Sequence, residues 1–180
     1  MDLLDFSGEE MYFDEPLGPE VEALIQQASE RYGEAEAEHS LLRAYFLEPE
    51  HLTVLVALYR YFYYRHQYAE ALLVADRAIR VAALRLGLTP EWRMLAKKEL
   101  GGAVMQSMAL TRFLLLALKG SGYLLMRLGN AGAALERFEQ VAAMDSSDRL
   151  GVTELLAIAR SKVAQERVAG AGNNVAWLTR

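Results

Sequence analysis

The side chains that most often carry reactions are few in this chain and poorly spaced for it. His39, His51 and His66 share no metal-ligand spacing. Cysteine is absent, which removes thiolate ligands, thiol nucleophiles and disulfides together. The run Lys119-Gly120-Ser121-Gly122 has the letters of a phosphate loop, but it lies in an apolar helical stretch without the preceding strand or the full glycine pattern. It reads as tight helix packing. Glu34 and Glu38 form a carboxylate pair on a polar face, where solvation is the ordinary role, and no serine has a nucleophile-elbow context. These observations point to a non-enzyme with no cofactor and no metal. The chemistry that remains is recognition. The segment YRYFYYRHQY, Tyr59 to Tyr68, is aromatic on every face of a helix. Tyrosine and arginine join large contact area to directional bonds, which is why they anchor interfaces. Within the segment, Tyr59, Phe62 and Tyr68 are expected mainly to pack.

The 180 residues are 53% apolar, enough for one domain with a substantial core. The net charge of −5 is unevenly distributed. Asp2, Asp5, Glu9, Glu10, Asp14 and Glu15 lie within residues 1–17 with no base among them, and the remainder is close to neutral. No basic field suggests nucleic acid. Acids stand where a signal peptide would carry bases. The most apolar run, Phe113 to Leu118, is short of the ~20 residues that span a bilayer. The expectation is a cytoplasmic protein that engages neither nucleic acid nor membrane.

The elements that must position the aromatic segment are helices. Val21, Leu24, Ile25 and Ala28 share one helical face, and that helix should stop near Gly33. A second helix carries Ala37, Leu41 and Ala44 and ends by Pro49. A shift of ~34 residues takes Val21 to Leu55, Leu24 to Leu58, Ala28 to Phe62, Ala37 to Ala71 and Ala44 to Ala78. Small positions mostly return small and large ones large, so the unit is a repeated helix–turn–helix.

This pattern resembles the tetratricopeptide repeat family, whose second helix reads small-x3-large-x2-small-x4-Pro, here Ala37, Leu41, Ala44 and Pro49. A further copy runs through Gly122, Leu125, Gly129, Ala134, Phe138 and Val141. There Gly122 and Ala134 would let two helices approach, with Phe138 packing toward the neighbouring repeat. Departures are Ala83 and Ser146 at proline positions and Ala75 at a large one. The resemblance implies an all-α, right-handed helical solenoid of about three repeats, at 18–51, 52–85 and 115–148. A capping helix over 149–168 would close it, with Asp148 as N-cap. Residues 1–17 and 169–180 would be flexible tails. The competing reading is a helical bundle without true repeats.

Repeat three is out of phase, since Ala71 to Ala134 is 63 residues. The inserted segment, 86–114, opens with Thr89-Pro90-Glu91, a strong helix start. One long helix over 90–128 is favoured over a helix pair. Its stripe of Leu100, Val104, Met108 and Trp92 would need cover from the stack, a partner or a second copy, the last making a homodimer.

In the family, first-helix side chains line a concave peptide groove. The matching positions are Pro19, Glu22, Gln26, Ser29 and Glu30, then Thr53, Val56, Arg60, Tyr63 and Tyr64, then Leu116, Lys119, Tyr123, Met126 and Arg127. Of these, Arg60, Tyr63, Tyr64, Lys119, Tyr123 and Arg127 are the expected partner contacts. Glu22 and Gln26 stand where one subfamily carries a carboxylate clamp, which disfavours that specificity. The resemblance implies an adaptor or client-specific chaperone for a protein or peptide partner. In build it is similar to the small three-repeat chaperones of bacterial secretion systems, from which the insertion departs. The alternatives are a permanent structural subunit self-associating through the insertion, and a sensor of a small signalling peptide. The acidic N-terminal segment, with Leu3, Leu4, Phe6, Met11, Tyr12 and Phe13, has the composition of a recognition motif and is a candidate lid for the groove.

Overall fold

A computed structural model describes residues 15–172 of the chain. Among these residues all regular structure is helical: α1 Pro19–Glu30, α2 Ala35–Leu47, α3 Leu52–Tyr64, α4 Tyr68–Arg85, α5 Lys97–Gln106, α6 Met108–Arg127, α7 Ala131–Met144 and α8 Thr153–Gly172. A single 3₁₀ turn, Trp92–Met94, lies between α4 and α5. Each long helix packs on the next, with α4 resting directly on α6 across the insertion.

The local reasons are those expected of the sequence. Pro19 opens α1, where its missing N–H costs nothing. Gly33 takes φ of +102° after α1, and Gly129 takes +78° after α6, backbone that a Cβ disfavours. Val21, Leu24 and Ala28 are buried, as are Ala37, Leu41 and Ala44 of α2. The corresponding Leu55, Leu58, Phe62, Ala71 and Ala78 are buried in α3 and α4. Gly122, Ala134, Phe138 and Val141 join α6 to α7, where a Cβ on Gly122 would lie only 2.6 Å from Phe138 Cε1. Phe138 therefore packs against α6 of its own helix pair as well as closing the core.

The insertion differs from its expected form. The single helix over 90–128 is instead a 3₁₀ turn followed by α5 and α6, broken at Ser107. Ser107 is extended, with φ −157° and ψ 105°, and its Oγ accepts from the Leu110 N–H at 3.2 Å. A side chain that caps the next helix competes with continuing the previous one. Thr89-Pro90-Glu91 starts only the 3₁₀ turn, with Thr89 Oγ1 accepting from Glu91 N–H at 3.4 Å. α6 begins at Met108, ahead of the expected start of repeat three at 115. The capping helix also begins late, at Thr153. Asp148, at φ +50°, is not its N-cap residue, but its Oδ1 receives the N–H groups of Val152 (2.6 Å) and Thr153 (3.2 Å). α8 continues to Gly172, beyond the expected tail boundary at 168, and the rest of that tail lies outside the described residues. Of the expected N-terminal tail, residues 15–17 belong to the fold. Glu15 pairs with Arg85 at 2.6 Å, and Leu17 packs near Val21, Leu24 and Val54. Residues 1–14 lie outside the described structure.

Candidate functional site

α3 carries Arg60, Tyr63 and Tyr64, three of the six residues expected to contact a partner. His51 caps it, with Nδ1 accepting the Thr53 N–H at 3.2 Å. That acceptor role leaves the proton on Nε2, which faces the Glu15 carbonyl at 3.2 Å. One face of the helix buries Leu52, Leu55, Leu58, Tyr59 and Phe62. The other side borders a cavity of about 610 Å³ between α1 and α3. Ile25, Ala28, Ser29 and Tyr32 form one wall, with Leu41 behind them, and Thr53, Val56, Ala57, Arg60, Tyr61 and Tyr64 form the other. Arg60 is the sole formal charge among these lining residues. The far end is an aromatic brace. Tyr32 meets Tyr61 edge-on at 5.9 Å, and the Arg65 guanidinium lies 5.8 Å from the Tyr61 ring while donating to the Gly33 carbonyl. The buried Tyr61 hydroxyl faces Glu38 at 3.5 Å. Burial pushes its pKa above the ordinary phenol value, Arg65 opposes the shift, and Glu38 adds to it.

The six expected contact residues divide into three places. Arg60 and the half-exposed Tyr64 line the α1–α3 cavity. Tyr63, Tyr123 and Arg127 gather with Tyr68 around the end of α3. Tyr63 stacks on Tyr59 at 5.8 Å and meets Tyr68 edge-on at 6.1 Å. Arg127 lies 4.6 Å from the Tyr68 ring and donates to the Tyr123 hydroxyl at 3.2 Å. Burial, and then the neighbouring Tyr123 and Tyr68, push Tyr63 up to about 12. Lys119 goes elsewhere. It is buried in α6, and its ammonium donates to the Leu150 carbonyl in the turn before α8. The rest of its KGSG run is buried in the same helix, with Ser121 Oγ bonded to Leu118 O and receiving Arg137. Within the first helix, Ser29 faces the cavity, whereas Glu22 is exposed and does not line it.

Two features escaped the sequence reading. Arg137 is buried in α7, donates to both Asp76 oxygens at 2.5 and 3.1 Å, and lies 5.0 Å from the Trp92 ring. Its place three residues after the buried Ala134 was the available signal, since that spacing shares a helix face. The second is a cavity of about 630 Å³ bounded by α5, by Met108, Thr111, Arg112 and Leu115 of α6, and by the turn after α7. The expected apolar stripe splits around it: Trp92 and Leu100 are buried, while Val104 and Met108 remain exposed. α6 is also the one described helix long and apolar enough to cross a membrane, and 67% of that stretch is buried within the fold. His39 and His66 are exposed, and His66 approaches Tyr68 Oη at 2.8 Å.

An all-helical protein with a cavity between successive helix pairs is thus the class that the fold and surface define. The chain is 45% identical over 156 residues, 87% of each sequence, to the "Uncharacterized 19.8 kDa protein in nifW 5'region" of Azotobacter chroococcum mcd 1. It belongs to the same family as that protein. No protein-family model and no solved structure matches it.

Proposed function

We propose that the chain is a cytoplasmic, tetratricopeptide-like scaffold, an adaptor or client-specific chaperone that binds a partner protein rather than catalysing a reaction. The α1–α3 cavity carries this reading. Its size falls within the range of ligand sites, its walls are mainly apolar, and one cation and three tyrosines supply direction. The preferred partner element is a peptide segment with large apolar side chains and neighbouring carboxylates, because these match the walls and Arg60. The relative's printed position in the nifW 5' region supports an accessory role beside the product of a neighbouring gene.

The test is capture of partners from the native lysate on tagged wild type, Arg60→Glu, Arg127→Glu and the control Leu73→Arg. Leu73 is 73% exposed on α4 and does not line the cavity. A partner kept by wild type and Leu73→Arg but lost by Arg60→Glu supports the cavity as the working surface. Loss only with Arg127→Glu moves the site to the Tyr63–Tyr123 cluster. Equal capture by all four sinks the reading.

A second reading, self-association through the insertion, is favoured by the exposure of Met94 (69%), Met105 (88%) and Met108 (70%). A concentration-dependent dimer in sedimentation that Met105→Glu/Met108→Glu abolishes would support it.

A further inference from the structure

We infer that two copies of the chain form a dimer by exchanging halves at Ser107, so that α1–α5 of one copy pack on α6–α8 of the other. The inference rests on reading the insertion as the site of self-association.

The hinge is a single residue. Between Lys97 and Arg127, Ser107 alone lies outside helical conformation. Its N–H still closes the α5 ladder on the Ala103 carbonyl at 2.8 Å, and its own carbonyl already receives the Thr111 N–H at 3.0 Å. The two ladders therefore meet at one residue. Rotating the Ser107 backbone from φ −157° and ψ 105° to helical values joins them into one helix about 46 Å long. That helix adds bonds from the N–H groups of Met108, Ala109 and Leu110 to the carbonyls of Val104, Met105 and Gln106. In the bent form Ser107 Oγ serves the Leu110 N–H, at 3.2 Å. Leu100, Val104, Met108, Thr111 and Leu115 recur at steps of four, four, three and four, which is one face of a continuous helix.

Straightening one chain alone would part its halves. α4 rests on α6, and Asp76 of α4 pairs with Arg137 of α7. Gln140 Nε2 donates to the carbonyls of Trp92 and Leu95 at 3.1 and 2.7 Å, and Arg93 pairs with Glu136 at 3.0 Å. Each of these contacts has one member before the hinge and one after it. Two straightened chains restore all of them, each N-terminal half packing on the other copy's C-terminal half. Exchange is therefore nearly neutral in contacts, and the hinge decides the balance. It favours the dimer through the added backbone bonds and through Met105 and Met108, which lie on either side of Ser107. These side chains are 88% and 70% exposed in the bent chain. A two-fold axis beside the hinges brings both pairs together and covers that apolar surface.

The test uses full-length chains, with folding checked by circular dichroism. Asp76→Arg and Arg137→Asp each set like charges against one another between α4 and α7 of a bent chain. Co-refolded, the two variants relieve this by exchange, because each lobe then holds one cation and one carboxylate. Mass spectrometry of the intact complexes, with one chain isotopically labelled, should find heterodimers in about tenfold excess over homodimers. Two hinge variants test the exchange with the ion pair intact. Ser107→Ala removes the cap of α6 and should favour the straight helix about fivefold per hinge. Each dimer straightens two hinges, so its association constant in sedimentation equilibrium should rise about 25-fold. Inserting Gly-Ser-Gly between Gln106 and Ser107 relaxes the short hinge and should leave the chain monomeric. Equal association by wild type, Ser107→Ala and the insertion overturns the inference, whether or not the charge-reversed chains fold. Random pairing of folded charge-reversed chains also overturns it. A dimer lost with Met105→Glu/Met108→Glu but indifferent to both hinge variants removes the exchange and leaves surface self-association standing. A chain that stays monomeric throughout removes both.

Discussion

Gly122→Ala is the smallest change that tests how α6 and α7 are joined. The glycine lies inside α6 and is buried. By helix propensity alone, alanine should stabilise the chain by about 0.8–1 kcal/mol. Packing opposes this. The new Cβ would sit 2.6 Å from Phe138 Cε1, 2.9 Å from Cδ1 and 3.0 Å from Cζ, all below ordinary contact. Phe138 has no exposed surface, so its ring cannot swing into solvent. Overpacking of this kind costs about 1–3 kcal/mol, which outweighs or cancels the propensity gain. Gly102→Ala isolates the propensity term, because Gly102 lies within α5 with nothing inside 4 Å of its would-be Cβ. Urea unfolding followed by circular dichroism should place Gly122→Ala about 1–3 kcal/mol below Gly102→Ala. For a chain of this length each kcal/mol corresponds to about 2–4 °C in Tm. Phe138→Leu, itself destabilising, should relieve part of the Gly122→Ala penalty, giving a favourable coupling in the double-mutant cycle. If Gly122→Ala stabilises as much as Gly102→Ala, the close approach of the two helices is wrong.

The Asp76–Arg137 pair and Tyr63 give two further expectations. Asp76→Ala leaves the Arg137 cation, 9% exposed, with Ser121 as its remaining side-chain hydrogen-bond partner. The loss should be about 1–3 kcal/mol in urea unfolding, less than for a fully buried pair because Asp76 is 42% exposed. Asp76→Ala/Arg137→Met should recover most of it, and a double variant as unstable as the single would show that the ion pair is not what Asp76 contributes. Tyr63, pushed up to about 12 by burial and then by Tyr123, favours its neutral form in the fold. A raised folded-state pKa contributes stability that is complete below the unfolded value near 10 and is lost as pH rises from about 10 toward 12. Wild type should therefore lose stability over that range more steeply than Tyr63→Phe; parallel profiles would contradict the assigned environment.

Most of the helical framework was legible because a helix records itself locally. Val21, Leu24 and Ala28 recur at the spacing that makes one face, and Gly33, Pro49 and Gly129 mark where the backbone turns. The insertion was less legible. Leu100, Val104 and Met108 continue one stripe, so their spacing cannot report the break that Ser107 makes by capping the helix after it. The aromatic and basic concentration on α3 was legible, yet where its members go was not. Tyr63 and Tyr64 are adjacent in sequence, but one packs among Tyr59, Tyr68 and Tyr123 and the other reaches the cavity.

The sequence by itself determined an all-helical chain, the approximate limits of its first four helices, the small residues where helices approach, and a concentration of tyrosine and arginine on α3. These depend on hydrogen bonds and side-chain faces within a few residues. Only the tertiary structure decided that Lys119 serves the turn before α8, that Arg137 meets Asp76 across 61 positions, and that Arg60 stands as the cation of an apolar cavity. Those outcomes depend on which helix packs on which. A buried charge takes whichever acceptor that packing brings within reach, and sequence spacing does not encode that distance.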